Sequence, residues 1–194
     1  MEKPIRRNPD SALYIMRHGQ TDWNARRKLQ GRSDIPLNDE GHRMAAEARE
    51  EYRTVPLDLC WCSPLIRARE TAEIVLRGRD IPIMTDDRLM EMCFGEYEGL
   101  ENIFLDSSCP ISALFLKPEE YTCSAGGAET FEDLFARTGS FLEEVIDPLM
   151  EQGKKVLIVG HGAMNLSIIS RLQGLPIADF WKPGLKSCRM IRLV

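Results

Sequence analysis

Three apolar runs along the chain are typical of buried β-strands. They cover Ala12–Met16, Leu57–Cys62 and Val156–Gly160, and a segment with helical spacing of apolar residues follows each of them. Strands that alternate with helices form mostly parallel sheets with helices packed on the faces. The pattern therefore predicts an α/β fold, and the short run Met190–Val194 predicts an additional edge strand.

Residues suited to capping precede three helical segments. These are Asn38, Ser63 and Thr130, and Pro64 suits the first turn of the second helix. Each position predicts the start of a helix that packs on the sheet.

The segment over residues 95–128 lacks this regular patterning, because Gly, Pro, Ser and aromatic residues are mixed there. It predicts a small cap over one face of the domain. We therefore expect a single domain over residues 1–194, with a loose N-terminal segment over about residues 1–11.

The composition narrows the class of protein. The chain has 194 residues, a net charge of −5 and a pI near 5.4. Domains that bind nucleic acids use a basic face, so this balance argues against a nucleic-acid partner. No apolar run approaches the roughly 18 residues of a membrane helix, and the first residues lack the apolar stretch of a secretory signal. We expect a cytoplasmic protein that does not bind a membrane.

The cysteines do not form a metal-binding pattern. There are six cysteines and three histidines, and no pair of cysteines is spaced as C-x-x-C. The sequence predicts free thiols, no metal site and no cofactor.

One stretch departs from the acidic average. Residues 17–32 contain five basic residues and one acid. Two interpretations remain open: a solvated loop, and the mouth of a site that attracts anions.

Candidate chemistry follows directly after the three predicted strands. Ligands of open parallel sheets bind beyond the carboxyl ends of the strands. His18 and His161 follow the first and last of these strands, and Arg67 follows the second. Guanidinium groups and an imidazolium match the charge of a phosphoryl group, so Arg17, Arg67 and a cationic His161 would stabilise it.

These residues suggest a reaction. A neutral imidazole can attack phosphorus when an acceptor holds its second ring nitrogen, so one histidine would attack while the other stabilises charge. The leaving alkoxide needs an acid. Glu91 is the candidate, because the apolar residues Leu89, Met90 and Met92 surround it in the sequence.

The motifs together resemble the histidine phosphatase superfamily, which includes the cofactor-dependent phosphoglycerate mutases. The resemblance lies in four separated blocks: Leu13–Asn24 with Arg17-His18-Gly19, Gln30–Gly41, Cys62–Ala72 with Arg67, and Glu91–Gly99 followed by His161-Gly162. Their order along the chain makes the match specific. The resemblance implies a three-layer α/β/α sandwich, agreeing with the fold class indicated by the hydrophobic pattern.

The resemblance also implies roles for individual residues. His18 would be the phosphorylated histidine and Glu91 the proton donor. The phosphate pocket and further substrate contacts would be formed by Arg17, Asn24, Arg67, His161, Gln30, Gly31 and the backbone amide of Gly162. The substrate would be a small phosphorylated metabolite. Glu129 is left out of the site, because the chain has one residue more than the Gly-Gly-Glu-Ser pattern of many family phosphatases.

Two other phosphate-related motifs fail on spacing. A cysteine-dependent phosphatase needs five residues between thiolate and arginine, and four separate Cys62 from Arg67. The sequence around Gly160 and Gly162 imitates a dinucleotide fingerprint but lacks the third glycine and the following βαβ unit. A catalytically inactive relative is a further alternative, which predicts a damaged catalytic position, and none is visible.

Within the superfamily the choice is between a phosphatase and a phosphoglycerate mutase. A mutase returns the phosphoryl group to a bound acid, so it must also hold the second anionic group of that acid. Lys117 is the only basic residue of segment 95–128, against six acids. The sequence therefore favours a phosphatase with a pocket for one phosphate and a less charged leaving group, with water as the final acceptor. Nothing in it indicates an oligomeric state.

Overall fold

Five strands form one sheet in the computed structural model, which describes residues 8–122 and 125–194. The strands are β1 (Ala12–Arg17), β2 (Leu59–Cys62), β3 (Ile83–Thr85), β4 (Lys155–Gly160) and β5 (Met190–Arg192). Their spatial order is β3-β2-β4-β1-β5, and β5 runs antiparallel to β1 while the other pairs are parallel.

Helices connect these strands and cover both faces of the sheet. They are α1 (Asp22–Ala25), α2 (Asp39–Tyr52), α3 (Ile66–Val75), α4 (Ala113–Leu116), α5 (Phe131–Phe141), α6 (Asp147–Glu151) and α7 (Gly162–Gln173). No helix in the described part of the chain has the length and apolar character needed to cross a membrane.

The alternation of side chains along the strands separates two apolar clusters. Leu13 and Ile15 of β1 pack with the α5–α7 side, whereas Met16 packs with α2 and α3. On β4, Ile158 and Val159 divide in the same way. This arrangement confirms the predicted three-layer α/β/α fold with a mostly parallel sheet.

The long helix predicted from Thr130 has an irregular centre. Thr130 caps α5 by accepting from the backbone N–H of Asp133 at 3.1 Å, as its sequence indicates. A π-helical turn over Leu142–Ile146 then joins α5 to α6. Pro148 lies in the first turn of α6, and the wider turn ahead of it accommodates a residue that has no N–H to donate.

Strand β3 and the start of helix α3 differ from the sequence prediction. Strand β3 was not predicted, because it has three residues and none of them is fully buried. Helix α3 begins at Ile66 instead of Pro64, since Leu65 is still extended. The side chain that caps the helix comes from a distant loop: Asp34 accepts from the N–H of Ile66 at 2.7 Å.

The ends of the predicted irregular segments are held by hydrogen bonds. In the N-terminal segment, Asn8 donates its N–H to Met150, and Ser11 is buried; residues 1–7 lie outside the described residues. Segment 95–128, of which residues 123 and 124 are not described, consists of short 3₁₀ turns around α4. We call this segment the cap.

Candidate active site

The two histidines lie side by side at the carboxyl ends of neighbouring strands. Arg17 and Gly160 are paired in the β1–β4 ladder, and the next residue on each strand is a histidine. The N–H of His18 donates to the carbonyl of Gly160 at 2.9 Å. The imidazole rings of His18 and His161 are 5.1 Å apart between centroids. The strand register therefore brings the two predicted histidines together.

A single hydrogen bond sets the tautomer of His18. Its Nδ1 lies 2.6 Å from the carbonyl oxygen of Gly19. A carbonyl can only accept, so Nδ1 carries the ring hydrogen and Nε2 carries the lone pair. That lone pair accepts from Nε of Arg67 at 3.3 Å. The Gly19 N–H donates to the hydroxyl of Thr71 on α3, which fixes the turn.

Arg67 is fully buried and joins the two imidazoles. Its Nε also donates to Nδ1 of His161 at 3.2 Å. Its Nη1 and Nη2 donate to the backbone carbonyls of Ser33 and Gly31, at 2.8 and 2.7 Å. Protein acceptors thus compensate for the removal of this charge from water.

Gln30 completes the surroundings of the guanidinium. In the amide orientation that satisfies both ends, its oxygen accepts from Nε and Nη1 of Arg67 at 2.8 and 2.9 Å, and its nitrogen donates to Thr21. Gln30 and Gly31, predicted to contact substrate or phosphate, therefore contact Arg67, which is itself predicted to bind phosphate.

Burial and neighbouring cations change the ionisation of the site. Burial first, and then Arg67, lower the pKa of both His18 and His161 well below 6.5, so both are neutral at pH 7. Burial also lowers the pKa of Arg67 to about 10, which leaves it charged. The cationic His161 expected from the sequence belongs to a site that holds a phosphoryl group, and it stays a prediction. Nε2 of His161 is buried and has no hydrogen-bond partner among the described residues.

Glu91 lies at the N-terminus of α7. Its Oε2 accepts from the N–H groups of Gly162 and Ala163 at 2.8 and 3.3 Å. Its Oε1 accepts from Met164 at 3.0 Å and from Met92 at 2.9 Å. The sequence suggested apolar surroundings for this carboxyl group, and the structure instead surrounds its oxygens with four backbone donors. The Gly162 amide, predicted to contact phosphate, is occupied by Glu91.

A cavity of about 170 Å³ connects these groups, and we call it the inner cavity. Most of the predicted site residues line it: Arg17, His18, Asn24, Gln30, Gly31, Arg67, Glu91 and Gly162. His161 is not among the lining residues, because it lies behind Arg67 and is fully buried. Asn24 uses Oδ1 to accept from the N–H of Thr21, which leaves its amide nitrogen for a ligand.

The opposite wall of the inner cavity is aromatic. Phe94 and Phe115 reach it from the segment after Glu91 and from the cap, and Trp181 reaches it from the region after α7. Phe115 stacks on Trp181 at 5.2 Å between centroids. Trp181 was not predicted as a site residue, since no local pattern brings a residue so near the C-terminus to this wall.

Two acidic residues outside the predicted site hold its loops. Glu98 accepts from the N–H groups of Arg32 and Ser33 at 2.9 and 2.8 Å, which fixes the loop whose carbonyls bind Arg67. Glu129 pairs with Arg137 at 2.6 Å. Nη1 of Arg137 in turn donates to the carbonyl of Met90, directly before Glu91. Glu129 therefore holds Arg137, and through it the backbone directly before Glu91.

The cysteine beside the site is unsuited to nucleophilic attack. Burial raises the pKa of Cys62 to about 12, whereas a reactive thiol needs a lowered pKa. In the described part of the chain, no three His, Cys, Asp or Glu side chains form a group that could hold a metal ion.

The chain is similar to known proteins over most of its length. The model of the histidine phosphatase superfamily, branch 1, matches residues 13–194. The chain belongs to this superfamily. Superfamily membership confirms the resemblance of the four sequence blocks, and the solved structure reported below shares the fold.

Similar proteins within the superfamily include both phosphatases and mutases. The chain is 34% identical over 182 residues to the uncharacterized phosphatase PhoE of Bacillus subtilis, covering 93% of this chain and 84% of that protein. It is 31% identical over 169 residues to a 2,3-bisphosphoglycerate-dependent phosphoglycerate mutase of Cytophaga hutchinsonii, with coverages of 86% and 79%. The structure of Bacillus stearothermophilus YhfR matches with a TM-score of 0.84 and 31% identity, covering 94% of this chain and 90% of that one.

The low pKa values of the two histidines predict a stability that depends on pH. The unfolded chain binds protons on these residues below about pH 6.5, whereas the folded protein keeps them neutral. The free energy of unfolding should therefore fall as the pH decreases from 7 to 5, by up to about 1.4 kcal/mol per pH unit for each histidine. Urea titrations at several pH values measure this slope.

His18→Asn and His161→Asn should each reduce the slope, and His42→Gln is the matched control because His42 is exposed on α2. An unchanged slope in both buried-site variants would show that other groups produce the pH dependence.

Proposed function

We propose that the protein is a phosphatase that hydrolyses phosphate monoesters of small molecules through a phosphohistidine on His18, without a metal ion. The observation that carries this proposal is the His18 imidazole, which is neutral, holds its Nδ1 hydrogen against Gly19 and directs its Nε2 lone pair to Arg67. This is the tautomer that a phosphorus nucleophile requires.

Substrate binding would free the nucleophile. Without substrate, the lone pair of His18 points to the single Nε hydrogen of Arg67, which His161 and Gln30 also share. A phosphate dianion is a stronger acceptor than an imidazole, so Arg67 transfers this hydrogen bond to a phosphate oxygen. Arg17 and Asn24, which line the same cavity, donate to the other oxygens. The phosphate charge also favours protonation of His161. The proton adds to Nδ1, which accepts from Arg67 in the neutral ring, because Nε2 already carries the ring hydrogen.

The reaction then has two steps. Nε2 of His18 attacks phosphorus as the P–O bond to the alcohol breaks, and the departing oxygen takes a proton from the Glu91 carboxyl group. Water next attacks the phosphohistidine and gives its proton to Glu91, while the P–N bond breaks and His18 returns to its neutral form. To carry the proton, Glu91 releases one of its backbone hydrogen bonds at the start of α7.

The described part of the cap supplies no cation to the inner cavity that would hold an acid for return of the phosphoryl group. Lys117, the only base in its sequence, is exposed and pairs with Glu120 at 2.9 Å. It is not among the residues that line the inner cavity. A phosphoglycerate mutase is the alternative within the superfamily, and an inactive relative is a weaker one, because each predicted catalytic position keeps its expected side chain.

Replacement of the nucleophile tests the proposal directly. His18→Ala should abolish phosphate release, and rapid quenching of the wild-type protein with substrate should trap an acid-labile, base-stable phosphoryl group on His18. The protein should remain active after dialysis against a chelator. Full activity of His18→Ala would contradict the mechanism, and activity restored only by an added metal ion would contradict metal independence.

Replacement of the acid should depend on the leaving group. Glu91→Gln keeps the shape of the side chain but supplies no acidic proton, so kcat for alkyl phosphates should fall by roughly 10²–10⁴-fold. Aryl phosphates should lose much less, because their leaving groups need little protonation. Equal losses for both substrate types would instead assign Glu91 a structural role at the start of α7.

A phosphoglycerate substrate separates the phosphatase from the mutase. We expect release of inorganic phosphate without priming by a bisphosphate, and little exchange between positional isomers. The measurement is the ratio of the two initial rates. Isomerisation ten times faster than phosphate release, a barrier difference of about 1.4 kcal/mol, would favour the mutase.

A further inference from the structure

A second cavity, of about 290 Å³, lies beside the inner one, and we call it the outer cavity. The two cavities share five lining residues: Arg17, Asn24, Lys28, Leu29 and Phe115. The outer cavity adds Arg27 and Ile103 and is not lined by His18, Arg67 or Glu91. It therefore extends the site away from the reacting phosphate.

The charge of the outer cavity has one sign. Its lining residues include three bases, Arg17, Arg27 and Lys28, and no acid. Lys28 makes a loose pair with the exposed Glu101 at 3.7 Å and lies 5.7 Å from the Trp23 ring centroid. Arg27 is exposed and makes no ion pair within the described ranges of the chain. Two cationic side chains thus remain accessible to an anion at this end of the site.

The backbone at Arg27 is strained, although glycine would adopt its conformation freely. Its φ of +56° lies in the left-handed region, which non-glycine residues rarely occupy. The cap holds this loop: Asn102 donates to the carbonyl of Arg27 at 3.1 Å, and Leu29 donates to Leu100 at 2.9 Å. These two hydrogen bonds hold the loop so that Arg27 lies at the outer cavity.

We propose that the outer cavity binds a second anionic group of the substrate, between Arg27 and Lys28. The substrate class is then phosphate monoesters of extended alcohols that end in a carboxylate or a second phosphate. The part of the substrate between its two anionic groups would contact Phe115 and Ile103. This inference rests on the proposed function and adds to it the substrate class. It replaces the sequence-based expectation of a less charged leaving group, because the loop after α1 supplies the cations that the cap lacks.

A homologous series of substrates measures the subsite. We compare kcat/KM for ω-carboxyalkyl phosphates with kcat/KM for ω-hydroxyalkyl phosphates of the same length, from two to six carbons. The ratio should rise to about 5-fold in favour of the anion for chains longer than three carbons, the size expected for partly exposed ion pairs. Alkane bisphosphates in the same series show which terminal anion fits better. A ratio near one at every length would overturn the proposal.

Variants assign the effect to the two cations. Arg27→Gln and Lys28→Gln should each bring the ratio close to one. Arg27→Gly should do the same without lowering Tm, because glycine relieves the strained backbone. Arg26→Gln is the matched control: it removes the same charge from the same loop, and Arg26 lines neither cavity. An equal loss in Arg26→Gln would overturn the subsite in favour of a general positive field.

Phenyl phosphate, which has no second anion, separates the two proposals. Its hydrolysis together with a flat chain-length series would overturn the outer subsite and leave the phosphatase intact. Failure to hydrolyse phenyl phosphate and every alkyl phosphate would overturn the proposed function itself.

Discussion

The site depends on one buried charge, the guanidinium of Arg67. Placing this cation in the interior requires acceptors for its N–H groups, and the chain provides two imidazole nitrogens, a side-chain amide and two backbone carbonyls. These partners come from the ends of β1 and β4 and from the loop at residues 30–33. The position of Arg67 on α3 therefore fixes the position of both histidines relative to that loop.

The surrounding structure is arranged to hold these acceptors. Glu98 binds the N–H groups of Arg32 and Ser33, so the carbonyls of their loop point to Arg67. Gly31 has a positive φ, and a Cβ atom there would collide with the Glu98 carboxylate. Asp34 caps the helix that carries Arg67. In the proposed reaction, the nucleophile becomes free when the hydrogen bond from Arg67 to His18 breaks. The interaction that stabilises the buried guanidinium is therefore also the one that the substrate must replace.

Much of the fold and the identity of the site were predictable because their determinants are local. The central strands are continuous apolar runs, Asn38 and Thr130 cap helices where the sequence indicates, and histidines that follow neighbouring parallel strands must meet at one edge. The environment of each group was not predictable in the same way. Glu91 contacts the start of α7, a region far along the chain, and the neutrality of His161 results from complete burial.

Long-range contacts also explain the other differences. The hydrogen bond that caps the N-terminus of helix α3 comes from Asp34 and not from Ser63. The aromatic wall includes Trp181, which donates to the carbonyl of Leu114 in segment 95–128. The basic residues of the stretch 17–32 have different roles, some lining the cavity and one forming an ion pair. The composition alone does not distinguish these roles. Arg17 and Lys28 line the inner cavity, whereas Arg32 pairs with Glu129 at 3.6 Å.

The central claim is that His18 is neutral, with its hydrogen on Nδ1 and its lone pair on Nε2. The most direct measurement is the ¹⁵N NMR spectrum of the ring nitrogens at pH 7, with His18 assigned by comparison with the His18→Asn variant. The account predicts a protonated Nδ1 and an unprotonated Nε2, and a change at Nε2 when a phosphate analogue such as vanadate displaces the Arg67 hydrogen bond. A hydrogen on Nε2, or an imidazolium at this pH, would contradict it.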